Sequence, residues 1–178
     1  MQLVQFDSSQ TADVIDLFGS VFSDSEGQDE GRMIADLVAS LISSTDAADL
    51  EGFVARSDSR VEGTIFFSRL WFPDNRTGFI LSPVAVATRQ QGKGVGQQLI
   101  RHGLMQLKEK DVDLVFTYGD PAFYGKLGFQ PISESVVKAP LDLSYPHGWL
   151  AQSLAGLPIL PAQGAVRCVE ALNDQKYW

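Results

Sequence analysis

The segment that most constrains this chain is R-Q-Q-G-K-G-V-G, residues 89–96. It follows an apolar stretch at residues 78–86 (G-F-I-L-S-P-V-A-V) and runs at once into a helix-periodic pattern. Strand, glycine turn and helix succeed one another with nothing between them. A helix that starts this way presents several backbone N–H groups without partners. They lie at the end that carries partial positive charge from the aligned peptide dipoles. Glycine at 92, 94 and 96 removes side chains that would block a close approach and permits positive φ. The combination suits an anion, above all a phosphate. A phosphorylated ligand is therefore the first expectation, and a glycine-rich turn with no ligand is the plain alternative.

Two familiar phosphate loops do not fit. A P-loop needs Gly-Lys followed by Ser or Thr, and the pairs Gly92-Lys93 and Gly125-Lys126 are followed by Gly94 and Leu127. A dinucleotide fingerprint G-x-G-x-x-G fits Gly92 and Gly94 but meets Gln97 where its third glycine belongs. Downstream, residues 119–129 read G-D-P-A-F-Y-G-K-L-G-F after an apolar run at 114–118. Taken alone, residues 122–129 are an amphipathic helix with ordinary core aromatics and Gly128 as C-cap.

The two segments together resemble the GCN5-related N-acetyltransferase (GNAT) superfamily. Q-G-K-G-V-G, residues 91–96, is similar to its pyrophosphate loop Q/R-x-x-G-x-G/A, preceded as there by an L/V-A-V strand end. F-Y-G-K-L-G-F, residues 123–129, is similar to the segment that follows the pyrophosphate helix in that family. The G-D-P-A-F-Y form resembles the subgroup of YhbS-type predicted N-acetyltransferases. The strong likeness covers residues 77–131 and extends weakly back to Met1.

The resemblance implies an α/β fold of layered α+β type, with a mixed, largely antiparallel central sheet flanked by helices. It implies one N-acetyltransferase domain over residues 1–178, with the coenzyme core at 77–131 and the rest completing the sheet and acceptor site. The co-substrate would be acetyl-CoA, with no metal. Its pyrophosphate would rest on Gln91, Gly92, Lys93, Gly94, Val95 and Gly96, and its pantetheine arm along Val84, Ala85 and Val86, with Phe123 also in contact. Tyr124 matches the family tyrosine near the coenzyme sulfur and would protonate the leaving thiolate. A backbone N–H near Val84 would stabilise the oxyanion. An acceptor amine would attack directly in a ternary complex. Asp120 stands near a family asparagine that contacts pantetheine, and an ionised acid cannot donate the same hydrogen bonds, so its role stays open. A non-catalytic acyl-CoA sensor or an interaction module is the alternative function.

Composition limits the remaining possibilities. With 44% apolar residues in 178, the chain can build a real core. The single cysteine, Cys168, excludes an internal disulfide and a clustered thiolate metal site. The first residues lack the pattern of a signal peptide. The longest apolar regions are broken by Gln152, Ser153, Pro158 and Pro161, so no membrane span is expected. A cytoplasmic protein follows as the default. The net charge of −8 is uneven: residues 7–62 hold thirteen acidic and three basic residues. No basic stripe with interleaved aromatics argues for nucleic acid. Partners are expected to be a small-molecule or peptide amine, with room for a homodimer. Asp24, Glu26, Asp29 and Glu30 would either attract a cationic acceptor or simply cap and solvate the helices.

Periodicity supplies the other elements. Residues 2–6 read as a strand, 11–22 as a helix, 23–28 as a polar loop, and the stretch from Asp29 or Glu30 as a second helix. Strands are expected at 50–56 and 61–70, joined by a hairpin, and at 77–86 with an interruption at Pro83. A helix spans 94–110, with His102 on its polar side. His147 reads as a surface turn, and Cys168 as a buried structural residue in a strand-like run at 165–172.

Overall fold

The computed structural model describes residues 1–178. The chain forms two compact units, Met1–Phe67 with Pro83–Gly103, and Ser68–Ser82 with Leu104–Trp178. Its seven strands follow the order β1-β2-β3-β4-β5-β7-β6.

In the first unit, β1 (Gln2–Gln5) pairs antiparallel with β2 (Leu50–Ser57). The helix α1 (Thr11–Glu26) buries Val14, Leu17, Phe18 and Val21, the i, i+3, i+4, i+7 stripe that a single apolar face requires. Its neighbour α2 (Gln28–Ser44) buries Ile34, Leu37, Val38 and Leu41. The expected loop at 23–28 is not there. The helix runs on to Glu26, and the only break is Gly27, whose φ of 102° ends one helix and admits the next. Ser, Asp and Glu tolerate a last helical turn when nothing stops it, so polarity alone does not mark a loop.

The strand β3 (Arg60–Trp71) follows β2 through a two-residue turn in which Asp58 has φ 56°. The strand β4 (Thr77–Val86) and the helix α3 (Val95–Glu109) lie within about a residue of their expected ends. Val95 and Leu99 pack on β3 at Gly63, where an added Cβ would stand 2.9 Å from Leu99 Cδ1. That close approach seats the start of α3 on the sheet. His102 is not a free surface residue: it is half-buried, its ring 5.3 Å from that of Phe53, edge to face.

In the second unit, the first part of β4 pairs in parallel with β5 (Leu114–Tyr118), and β5 pairs antiparallel with β7 (Trp149–Ser153). The short β6 (Gln130–Pro131) lies against β7. The β4–β5 ladder ends at Leu81↔Thr117, while β4 itself continues to Val86. Pro83, two residues past the last rung, has no N–H to extend it.

The expected helix at 122–129 splits into α4 (Pro121–Tyr124) and a 3₁₀ turn, Gly125–Leu127, closed by Gly128 at φ 91°. The run at 165–172 is not a strand: a single bridge joins Trp71 and Arg167, and a 3₁₀ turn covers Glu170–Leu172. The tail is tied down by point contacts. Trp149 Nε1 donates to Val137 O at 2.9 Å, and Trp178 Nε1 donates to Leu172 O at 2.8 Å.

Candidate functional site

The glycine turn belongs to the first unit and is built from the end of β4. Ala87 N donates to Glu62 O on β3 at 2.8 Å, and a 3₁₀ turn covers Thr88–Gln90. Gln91 folds its side chain back, so that Nε2 donates to Val86 O at 3.1 Å and closes the turn on the strand. Gly92 and Gly94 have φ of 74° and 79°. An L-residue in that region carries a strain of about 1–2 kcal/mol. A Cβ at Gly92 would meet nothing within 4 Å, so the glycines keep the outer face of the turn bare and exposed. Val95 is buried and anchors the turn from below.

The first helical bond of α3 runs from Gln98 N to Gly94 O at 3.0 Å. The amides of Val95, Gly96 and Gln97 thus have no acceptor inside the helix. Lys93 Nζ lies 3.3 Å from Gln90 Oε1 on the same exposed face. A 15-residue helix aims its positive end at these bare amides. The turn therefore fits a phosphate on its own geometry. Along β4, Ser82, Val84 and Val86 are half-buried, and Ala85 is buried.

Arg89 does not project from this loop as a free cation. Its Nη2 lies 2.7 Å from Oε2 of Glu62, which is buried. The contact is an ion pair rather than a well-directed hydrogen bond. It was not readable in the sequence, because β3 and the turn are far apart along the chain. Asp24, at the end of α1, accepts from Thr88 Oγ1 at 2.9 Å, and Asp29 pairs with Arg32. Two of the four acids in that segment thus have structural partners.

Tyr124 belongs to the second unit, and its position is tightly determined. Asp120 caps α4, its Oδ1 accepting from Ala122 N at 2.8 Å, and Pro121 occupies the first turn. This is the local role that the sequence left open for Asp120. The Tyr124 ring meets Phe123 and Phe129 edge to face, with centroids 5.0 and 5.8 Å away. A Cβ on Gly119 would stand 2.6 Å from Tyr124 Cε2, so the ring lies close against bare backbone. Burial pushes the Tyr124 hydroxyl above its ordinary value of 10.0, the hydrogen-bonding capacity of Thr117 opposes that shift, and the nearby Asp120 charge adds to it. The group is thus a neutral proton donor throughout the physiological range.

Other sequence candidates are not drawn into either cluster. His147 is exposed, edge to face with Tyr145, and the adjacent Trp149 is fully buried as the first residue of β7. Cys168 is half-buried, and burial pushes its thiol up to about 11, the opposite of an activated nucleophile. No group of three or more His, Cys, Asp or Glu gathers as metal ligands would. No helix is long and apolar enough to cross a membrane.

Residues 48–131 match the family described as Acetyltransferase (GNAT) domain. The chain is 34% identical over 142 residues to the uncharacterized N-acetyltransferase YjhQ of Escherichia coli K12, covering 76% of this chain and 78% of that protein. It is similar in backbone to the GNAT family N-acetyltransferase YhbS from Escherichia coli in complex with CoA. The TM-score is 0.83 at 22% identity, over 98% of this chain and 92% of that one. A GNAT family acetyltransferase from Brucella melitensis in complex with acetyl-CoA gives a TM-score of 0.71 at 24% identity, over 97% of each chain. At these identities the two structures speak for the fold.

Proposed function

Because this chain belongs to the GCN5-related N-acetyltransferase family, we propose that residues 84–96 hold acetyl-CoA and that Tyr124 is the general acid in acetyl transfer to an amine. The family makes the chain an acyltransferase with acetyl-CoA as co-substrate. The observation that carries the residue assignment is the bare, positive-φ turn at Gly92 and Gly94 on the positive end of α3. Gln91, Lys93, Val95 and Gly96 complete the cradle, and Phe123 takes the coenzyme contact that its family match implies. The reading treats residues 1–178 as one acetyltransferase domain working in the cytoplasm, where acetyl-CoA is made and spent.

In this reading the pyrophosphate sits on the amides of residues 91–96. The pantetheine amides pair with β4 past its last rung, at Val84, Ala85 and Val86, as an added strand would. A backbone N–H near Val84 donates to the thioester oxygen as it gains charge. The neutral amine forms a C–N bond at the carbonyl carbon, the C–S bond breaks, and the departing thiolate takes the Tyr124 proton. The amine's surplus proton leaves to water. Much of the rate gain comes from positioning in the ternary complex. A binder without turnover would need the glycine turn but has no use for a clamped, protonated phenol.

Release of free thiol from acetyl-CoA, followed across a broad panel of small amines and peptides, tests this reading. Amine-dependent release is expected. Tight binding of acetyl-CoA with no release on any amine would favour the sensor alternative.

The ring contact at Gly119 supplies a second test. A methyl group there enters the space of the Tyr124 ring. Displacing a reacting group by about 1 Å can cost roughly 100-fold in rate. Gly119→Ala is expected to lower kcat by roughly 10- to 100-fold and to leave acetyl-CoA affinity nearly unchanged. An unaltered kcat in a folded variant would separate the ring position from catalysis.

A further inference from the structure

We propose that Glu62 is the positioning residue of the pyrophosphate turn: its buried carboxylate latches Arg89, so that the glycine cradle is formed before acetyl-CoA arrives and Arg89 makes no phosphate contact. The inference rests on the assignment of that turn to the pyrophosphate. Three of the six residues 91–96 are glycine, and glycine loses more freedom on ordering than any other residue. Such a turn binds well only when something else fixes it in advance. Two adjacent residues of β3 do so. The Glu62 carbonyl accepts from Ala87 N at 2.8 Å, where the chain enters the turn. The Glu62 carboxylate lies 2.7 Å from Arg89 Nη2, two residues further on. Gly63 lets the start of α3 come close, since an added Cβ there would stand 2.9 Å from Leu99 Cδ1 and 3.3 Å from Val95 Cγ1. Successive residues of a strand face opposite sides, so β3 grips the entry and the exit of the turn from the two faces of the sheet.

Burial decides which partner Arg89 keeps. Glu62 is 3% exposed, and its Oε2 accepts no hydrogen bond besides the Arg89 ion pair. A carboxylate taken out of water is costly without a counter-charge. Swinging Arg89 out to a phosphate would strand that charge in the interior. The guanidinium therefore acts as a latch and not as a reserve of positive charge for the ligand. Its neighbour is tied in another direction, Thr88 Oγ1 donating to Asp24 Oδ2 at the end of α1 at 2.9 Å. The pyrophosphate is left with the free amides at the start of α3 and with Lys93, on the exposed face of the turn.

Glu62→Gln keeps the shape and removes the charge. Calorimetric titration with acetyl-CoA is expected to show a Kd raised roughly tenfold, a mid-range coupling between residues in contact. Arg89→Gln is expected to lose about as much, and the double variant no more than either single one, because both changes open the same latch. If the lone buried carboxylate keeps Arg89→Gln from folding, Glu62→Gln and the double variant, which leave no such charge, still decide the matter. In thiol release the KM for acetyl-CoA is expected to rise with Kd while kcat stays within about threefold, since the latch acts at the pyrophosphate and not at the thioester. A general loosening of the fold lowers both. Added salt is expected to weaken binding by the same factor in the double variant as in the original, because no phosphate contact has been lost. The opposite role for Arg89 has the opposite sign: if Glu62 merely held back a phosphate ligand, Glu62→Gln would free it and tighten binding. Tighter or unchanged binding in Glu62→Gln, losses that add in the double variant, or a weaker salt dependence there overturns the proposal. If Gly94→Glu binds poorly and Glu62→Gln binds normally, only this inference fails. If Gly94→Glu binds as well as the original, the phosphate-turn assignment fails with it.

Discussion

Tyr124→Phe lowers kcat by roughly 10- to 1,000-fold and leaves acetyl-CoA affinity nearly unchanged, the span being set around the usual size of general acid catalysis. The substitution removes one oxygen and keeps the ring. Its edge-to-face contacts with Phe123 and Phe129 and its fit against Gly119 therefore survive. What disappears is a proton donor that burial keeps neutral. Stopped-flow thiol release under saturating substrates measures the effect, and full turnover in the variant would remove Tyr124 from the mechanism. The same oxygen has a signature in stability. Because the folded-state pKa lies above 10.0, the folded and unfolded chains both keep the proton below that value, and Tyr124 adds no pH dependence there. Above about pH 10 the unfolded chain releases the proton first, so stability falls as pH rises toward the folded value. Tyr124→Phe abolishes this part of the alkaline loss. Denaturant titrations at pH 8 and in the alkaline range, compared between the two proteins, report it.

Gly94→Glu is expected to weaken acetyl-CoA binding by roughly 100-fold or more, about 2.7 kcal/mol. Two causes add. Position 94 has φ 79°, which an L-residue occupies only with strain. The new carboxylate would also stand at the positive end of α3, where the pyrophosphate is proposed to lie, and would compete with it by charge. Gly94→Ala separates the causes, since it introduces the strain without the charge. The alanine variant should lose stability by about 1–2 kcal/mol and bind more tightly than the glutamate variant. Calorimetric titration on folded proteins measures both. Unchanged affinity in Gly94→Glu would dismantle the phosphate-loop assignment.

The sequence was most legible where local rules act alone. Strands β4 and β5 fall at the residues that their apolar runs marked, because both are short and bounded by turn residues. The glycine turn and the Gly128 cap are legible for a related reason: only glycine takes those φ values cheaply. Legibility ends where a residue's role is pairwise and distant. Nothing near Glu62 in the chain announces Arg89, and nothing near Thr117 announces that its hydroxyl will find the carbonyl of Leu81. His102 looked solvent-facing by helical position, yet β2 brings Phe53 to its ring. The tail after Pro131 is held by single contacts such as Trp178 to Leu172, which leave no period for pattern reading to find. The segment at 23–28 misled in the other direction, since its polar residues mark only the exposed end of α1.

The most direct test of the account follows the acetyl group itself. Acetyl-CoA carrying a carbon-13 acetyl label is mixed with the protein, first alone and then with the amine panel, and protein and amines are both weighed by mass spectrometry. The account predicts label on an acceptor nitrogen and an unlabelled protein at every stage, because the amine attacks the thioester directly. Label held on the protein before any amine is added, with Cys168 as its carrier, or the absence of label from every amine, would contradict it.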